Sequence, residues 1–104
     1  RELAHAYRDM VRALTDMKLR QSAERLGNLI LRQDRRQGGT GSVLLKAEKR
    51  LLASLLGMTP ENLSRAFGVL TGHGITVSGP NVTITDRAAL EAFSRPDPVR
   101  DDLV

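Results

Sequence analysis

The sequence contains no cysteine and no tryptophan, and its only aromatic residues are Tyr7, Phe67 and Phe93. The absence of cysteine excludes a disulfide framework, a thiolate metal site and a cysteine nucleophile. Apolar residues make up 40% of the chain, which is enough for a hydrophobic core. Because so few rings are present, that core must be built mainly from leucine, valine, isoleucine and alanine.

Long hydrophobic runs are also missing. No apolar stretch approaches the roughly 20 residues that span a bilayer, and no signal-peptide pattern is present. We therefore expect a soluble, cytoplasmic protein without membrane contacts. A chain of 104 residues holds one domain, or one small domain with an appendage. It begins at Arg1, directly in a helical pattern and without an initiator methionine, so we expect a piece of a longer protein.

The residues needed for catalysis or metal binding do not occur in a recognisable arrangement. His5 and His73 are isolated, and neither has a partner at metal-ligand spacing. The glycine-rich residues 38–41 lack the lysine and the strand–helix context of a phosphate-binding loop. We therefore expect no enzymatic activity, no metal and no cofactor in this chain.

Basic residues outnumber acidic ones by 16 to 12, and the net charge of +4 favours a polyanionic partner. The excess lies in residues 1–36, which hold nine Lys/Arg against five Asp/Glu. Residues 37–94 hold five against four. Since many basic proteins bind no nucleic acid, charge alone leaves the partner open.

Apolar residues near the N-terminus alternate at spacings of four and three, as in the seam of a coiled coil. They are Leu3, Tyr7, Met10, Leu14 and Met17. An amphipathic helix that packs on its own domain is the alternative. A seam this narrow at one end of a chain favours pairing with a second copy, so we predict dimerisation through these residues.

A helix break is predicted at residues 19–21, with Ser22 as the N-cap of a second helix. The residues expected to face inward from that helix are Ala23, Leu26, Leu29 and Ile30. The glycine-rich residues 37–42 predict a flexible loop, and the apolar residues 43–45 predict a short strand.

A helix, a glycine turn and a capped helix are predicted next. From Glu48 the helical period returns, and the leucines expected to face inward are Leu51, Leu52, Leu55 and Leu56. Gly57 should end this helix, because a left-handed conformation costs little only for glycine. Thr59 should cap the next helix, with Pro60 at its first position. Its expected buried stripe is Leu63, Phe67 and Leu70.

Residues 75–78 and 82–85 alternate apolar and polar side chains around a Gly-Pro-Asn turn, which predicts a β-hairpin. Asp86 should cap a last short helix. The predicted fold is mostly α with a small β-hairpin wing, a winged helix-turn-helix preceded by a long coiled-coil-type helix. We assign residues 1–20 to the end of a dimerisation helix and hinge, 21–94 to the winged domain and 95–104 to a loose tail.

The exposed side of the second helix carries groups that can read base edges. Glu61, Ser64, Arg65 and Gly68 share one face, because they are separated by steps of three and four residues. Arginine donates two hydrogen bonds to guanine O6 and N7, and glutamate accepts one from the cytosine amino group. Serine can hydrogen-bond to a base edge or contact a thymine methyl group. A surface salt bridge between Glu61 and Arg65 is the alternative for that pair.

Contacts with DNA phosphates are expected around this face. The candidate residues are Lys49, Thr59, Asn62 and, at the tip of the wing, Gly79.

Residues 45–70 resemble the DNA-binding domain of the Crp–Fnr superfamily of bacterial transcription regulators. The similarity lies in the segments Glu48-Lys49-Arg50-Leu51-Leu52-Ala53, Leu56-Gly57-Met58-Thr59-Pro60-Glu61 and Leu63-Ser64-Arg65. Residues 75–85 match the wing of that family, and the N-terminal seam resembles the end of its dimerisation helix. The resemblance extends over about residues 1–94.

The resemblance implies a homodimer whose second helix reads each half of a palindromic operator. Glu61, Ser64 and Arg65 fall on the base-reading positions of the family. Their Glu-x-x-Ser-Arg form is that of the Fnr-like branch, which implies a TTGA-like half-site. Pro60 replaces the arginine of the cyclic-AMP-responsive branch, which argues against an operator of that type.

The resemblance also implies RNA polymerase as a further partner and a hinge near residues 19–22. An upstream effector domain, absent from this chain, would bind a signal that the sequence leaves open.

Another function class is compatible with the same fold. The chain would then be a winged-helix module for dimerisation or protein interaction, with only non-specific DNA binding. The face with Glu61, Ser64 and Arg65 opposes this alternative, whereas the modest charge of residues 37–94 supports it.

Overall fold

The computed structural model describes residues 2–94, with side chains from residue 5 onward. The predictions for the Leu3 side chain and for residues 95–104 lie outside this described part. The elements within it are α1 (Glu2–Arg36), β1 (Ser42–Leu44), α2 (Lys49–Leu55), α3 (Pro60–Thr71), β2 (Ile75–Ser78), β3 (Asn81–Ile84) and α4 (Arg87–Ser94). This architecture confirms the predicted fold class, a winged helix-turn-helix preceded by a long helix.

The predicted helix break at residues 19–21 is wrong, because α1 continues through it without interruption. No glycine or proline occurs from residue 2 to residue 26, so nothing in the local sequence opposes continued helix. Arg20 pairs with Glu24 one turn later, at 3.3 Å between Nε and Oε1. Ser22 therefore lies inside the helix and is not an N-cap. Residues 19–22 are helical in this structure, and the hinge implied there concerns motion and stays a prediction.

α1 carries two apolar stripes that face different sides. Sixteen residues separate Met10 from Leu26 and Leu14 from Ile30, which corresponds to a rotation of about 160° around the helix axis. Leu26 and Ile30 are fully buried, whereas Met10 and Leu14 are 61% and 53% exposed. The N-terminal seam therefore faces away from the core of its own chain.

The core lies between the C-terminal half of α1, α3, α4 and the sheet. Its fully buried aliphatic residues include Leu26, Ile30, Val43, Leu63, Leu70, Ile75, Val82 and Leu90. Phe67 and Phe93 contribute its rings. The composition therefore correctly predicted a largely aliphatic core.

The leucines of α2 do not all face inward as predicted. Leu52 is buried and Leu56 is half-buried, but Leu51 and Leu55 are 54% and 72% exposed. In each Leu-Leu pair the two side chains differ by about 100° around the helix. α2 buries the side that carries Leu52, Ala53 and the half-buried Leu56, so Leu51 and Leu55 face outward.

The three strands form an antiparallel sheet in the order β1-β3-β2. Ser78 pairs with Asn81, so a two-residue turn connects β2 and β3 and confirms the predicted hairpin. β1 adds to the other edge of β3, with Val43 opposite Val82. The sequence indicated the short strand β1 but not its pairing with the wing.

Asp34 holds the glycine-rich loop and α4 together at the end of α1. Its carboxylate is 1% exposed and accepts hydrogen bonds from the Gly41 N–H at 2.8 Å and from Arg87 Nη2 at 2.6 Å. Burial alone raises the pKa of Asp34, but the two hydrogen bonds and the charge of Arg87 outweigh it and hold the pKa below its ordinary value. The loop predicted to be flexible is therefore anchored at Gly41.

We expect the Asp34→Ala variant to lose about 2 kcal/mol of unfolding free energy at pH 7, because a charged acceptor of two hydrogen bonds is removed. The folded-state pKa lies below the unfolded value near 4. The contribution of the carboxylate is therefore present above pH 4 and is lost as the pH falls through the folded-state pKa. Urea denaturation at pH 7 and pH 3 should show the difference between wild type and variant shrinking in acid. The exposed Asp16→Ala variant is the control; an equal response of both variants would contradict this role of Asp34.

Candidate functional site

The turn between α2 and α3 is fixed by backbone hydrogen bonds. Gly57 has a φ of 70°, and its N–H donates to Ser54 O at 3.1 Å. The Met58 N–H donates to Ala53 O at 2.9 Å. Together these bonds form a Schellman motif, which ends α2 at the predicted glycine.

Thr59 caps α3 as predicted. Its backbone is extended, and its Oγ1 accepts a hydrogen bond from the Asn62 N–H at 3.1 Å. Pro60 occupies the first helical position, where no N–H is needed. Glu61 follows in the first turn, near the positive end of the helix dipole. The local sequence thus determines where α3 begins.

The two sides of α3 differ sharply in exposure. One side is buried in the core and consists of Leu63, Ala66, Phe67 and Leu70. On the opposite side, Glu61, Ser64 and Arg65 are all exposed. Glu61 and Arg65 form no ion pair, since the ion pairs found within residues 5–94 are Arg20–Glu24 and Arg87–Asp34. The carboxylate, hydroxyl and guanidinium groups therefore point into solvent without the alternative surface salt bridge.

Gly68 continues this exposed side one turn after Arg65. A Cβ atom added at this position would meet no heavy atom within 4 Å. The fold itself therefore does not require glycine here. Without a side chain at this position, the backbone of α3 is directly accessible from solvent.

The predicted phosphate-contacting residues are all exposed, and they come from three different parts of the domain. Lys49 begins α2, and its Nζ lies 6.0 Å from the centre of the Phe67 ring. Thr59 and Asn62 lie together at the start of α3. Gly79 occupies the exposed turn of the wing, with a φ of 58°.

The family profile described as a Crp-like helix-turn-helix domain matches residues 24–93, more than half of the chain. The chain belongs to the Crp-like helix-turn-helix family. This finding confirms the resemblance to the Crp–Fnr superfamily, and it identifies α2 and α3 as the helix-turn-helix of a DNA-binding module of the transcription-regulator type.

Solved structures of regulators have the same fold. The catabolite activator protein of Thermus thermophilus superposes with a TM-score of 0.72 at 22% identity, over 89% of this chain and 43% of that chain. FixK2 from Bradyrhizobium japonicum gives 0.64 at 26% identity, over 93% and 52%. A regulatory protein from Silicibacter pomeroyi gives 0.60 at 30% identity, over 90% and 42%.

The Crp-like chain therefore spans about half the length, or less, of these matched structures. No curated protein sequence matches it significantly.

A cleft of about 620 Å³ lies between α1 and the helix-turn-helix. Its wall on α1 consists of Lys18, Gln21, Ser22 and Arg25. The polar residues of the opposite wall are Ser54, Thr59 and Asn62. This cleft was not predicted from the sequence, because the predicted break at residues 19–21 divided the α1 wall between two helices. The three- and four-residue spacing of its members would have revealed a common face on a continuous helix.

The described part of the Crp-like chain holds no group of three or more His, Cys, Asp or Glu residues suited to a metal ion. His73 stacks on Phe93, with ring centres 4.2 Å apart, so its ring is engaged in packing. Within residues 2–94, none of the helices combines the length and the apolar character needed to cross a membrane.

We expect Thr59→Ala to lower the unfolding free energy by about 1 kcal/mol, because the Asn62 N–H loses its acceptor. Thr59→Ser keeps the hydroxyl and should unfold within a few tenths of a kcal/mol of wild type. Chemical denaturation of both variants measures the difference. Equal stability of the alanine and serine variants would contradict the capping role.

Proposed function

We propose that this chain is the sequence-specific DNA-binding module of a homodimeric transcription regulator of the Crp–Fnr type. The observation that carries the proposal is the joint exposure of Glu61, Ser64 and Arg65 on one side of α3. The other side of α3 is anchored in the core, so these groups are presented on a rigid element. Such a helix fits the major groove, where its N-terminal residues meet base edges.

The chemistry of the three side chains matches a TTGA-like half-site. Its guanine offers O6 and N7 to the two parallel donors of Arg65, and the cytosine paired with that guanine offers an amino group to Glu61. Ser64 can bond either neighbouring base edge. Lys49, Thr59, Asn62 and the wing turn at Gly79 would hold the backbone and fix the position of α3.

Exposed apolar residues support the dimer. Met10 and Leu14 lie more than half exposed on the side of α1 opposite to the stripe that packs in the core. Within residues 5–94 no other element covers them, and the seam of a second α1 has the matching spacing. Pairing of two chains would place two copies of α3 in successive major grooves, about 34 Å apart on a palindromic operator.

A protein-interaction module with sequence-blind DNA binding is the second candidate. It is favoured by Leu51 and Leu55, which expose adjacent apolar side chains on α2. Selection of bound sites from a random duplex library distinguishes the two candidates. Enrichment of a palindrome with TTGA-like halves would support the whole proposal. Enrichment of single TTGA-like half-sites would support base reading by α3 but not dimerisation. An unenriched pool would overturn the proposal in favour of the second candidate.

We expect Arg65→Ala to weaken binding to the selected site by roughly 1–3 kcal/mol and to relax discrimination at one base pair. Lys49→Ala should instead lower affinity for all duplexes alike and reduce the salt dependence. Fluorescence-anisotropy titrations on selected and scrambled duplexes at several salt concentrations separate the two effects. Equal losses of Arg65→Ala on both duplexes would assign Arg65 to phosphate contact.

We expect Leu14→Ser to weaken dimerisation more than tenfold, because each buried leucine contributes about 1.5 kcal/mol or more. Sedimentation equilibrium of the purified chain measures the dissociation constant. Leu55→Ser removes another exposed leucine outside the seam and is the matched control. If both variants self-associate like wild type, the seam does not form the dimer.

A further inference from the structure

The cleft between α1 and the helix-turn-helix has the composition of an anion site. Lys18 and Arg25 bring two positive charges to its α1 wall, and its lining contains no acidic residue. Within residues 5–94 neither side chain forms an ion pair. Serine, threonine and asparagine side chains supply further hydrogen-bond donors around the same space.

The cleft adjoins the start of α3. Thr59 and Asn62, on its far wall, lie in the same helical turn as Glu61, the first of the proposed base-reading residues. When the N-terminal residues of α3 lie in a major groove, the phosphates that border this groove lie close to this end of the helix. The two basic side chains of α1 are therefore placed to meet the backbone next to the bases that α3 reads.

We propose that Lys18 and Arg25 are DNA phosphate-binding residues, which act across the cleft from Thr59 and Asn62. This inference rests on the proposed function. It gives the positive charge of residues 1–36 a specific task, since two of the nine basic residues there line the cleft. Backbone contacts of this kind position α3 and add affinity that is independent of sequence.

The arrangement requires α1 to be continuous through residues 19–22. Seven residues separate Lys18 from Arg25, which is two helical turns with only about 20° of net rotation. Both side chains therefore lie on one face of the unbroken helix. A break between them would remove Lys18 from the cleft and leave Arg25 in place.

The test compares two double variants that each remove two positive charges from exposed sites on α1. The Lys18→Ala/Arg25→Ala variant removes both positive charges from the cleft wall. The Arg35→Ala/Arg36→Ala variant removes two positive charges from the end of α1, outside the cleft. We expect the cleft variant to reduce the slope of log affinity against log salt by about 2, equally on selected and scrambled duplexes. The control variant should retain the wild-type slope.

Phosphate ethylation interference provides an independent readout. Ethylation of phosphates next to the bases read by α3 should interfere with wild-type binding, and this interference should be weaker for the cleft variant, which retains only the contacts from Thr59 and Asn62 across the cleft. Because both substituted side chains are exposed, thermal unfolding should match wild type. If it does not, Lys18→Gln/Arg25→Gln replaces the alanine variant in the same experiments.

The experiments distinguish failure of this inference from failure of the proposed function. If wild type binds its selected site while the cleft variant keeps the wild-type slope and interference pattern, the proposal for Lys18 and Arg25 is overturned alone. Equal loss of slope in both double variants would also overturn it, because any surface charge would then suffice. Absence of duplex binding by wild type would overturn the proposed function together with this inference.

Discussion

Burial of one side of α3 against the C-terminal half of α1 is the constraint on which the rest of the structure depends. Leu63 and Leu70 on α3, and Leu26 and Ile30 on α1, are almost completely removed from solvent. Because a helix has two sides, this burial determines which residues of α3 can meet a partner. The Schellman turn at Gly57 and the cap at Thr59 then set where the exposed side begins.

Elements determined by local chemistry could be predicted from the sequence. The end of α2 at Gly57, the start of α3 at Thr59 and the hairpin around Gly79 each depend on a few adjacent residues with special backbone or capping properties. The exposed side of α3 was predictable for the same reason, because helical periodicity alone places Arg65 and Leu63 on different sides of the helix.

Features that depend on distant parts of the chain could not be predicted in this way. The exposure of Leu51 and Leu55 depends on which side of α2 packs against the rest of the domain. The buried pair of Asp34 and Arg87 joins residues that are 53 positions apart. Ser22 illustrates a different failure, because its capping preference is real but weak, and a sequence without glycine or proline continued the helix past it.

The two opposed stripes of α1 have a consequence for how the molecule could change during evolution. The exposed and the buried stripe belong to one continuous helix, so the number of residues between Met17 and Ala23 sets the angle between the exposed stripe and the domain. Inserting one residue there would change no other side chain. It would nevertheless rotate the domain by about 100° around the axis of α1, relative to the exposed stripe. In this segment, the number of residues therefore constrains the geometry of the molecule independently of which residues they are.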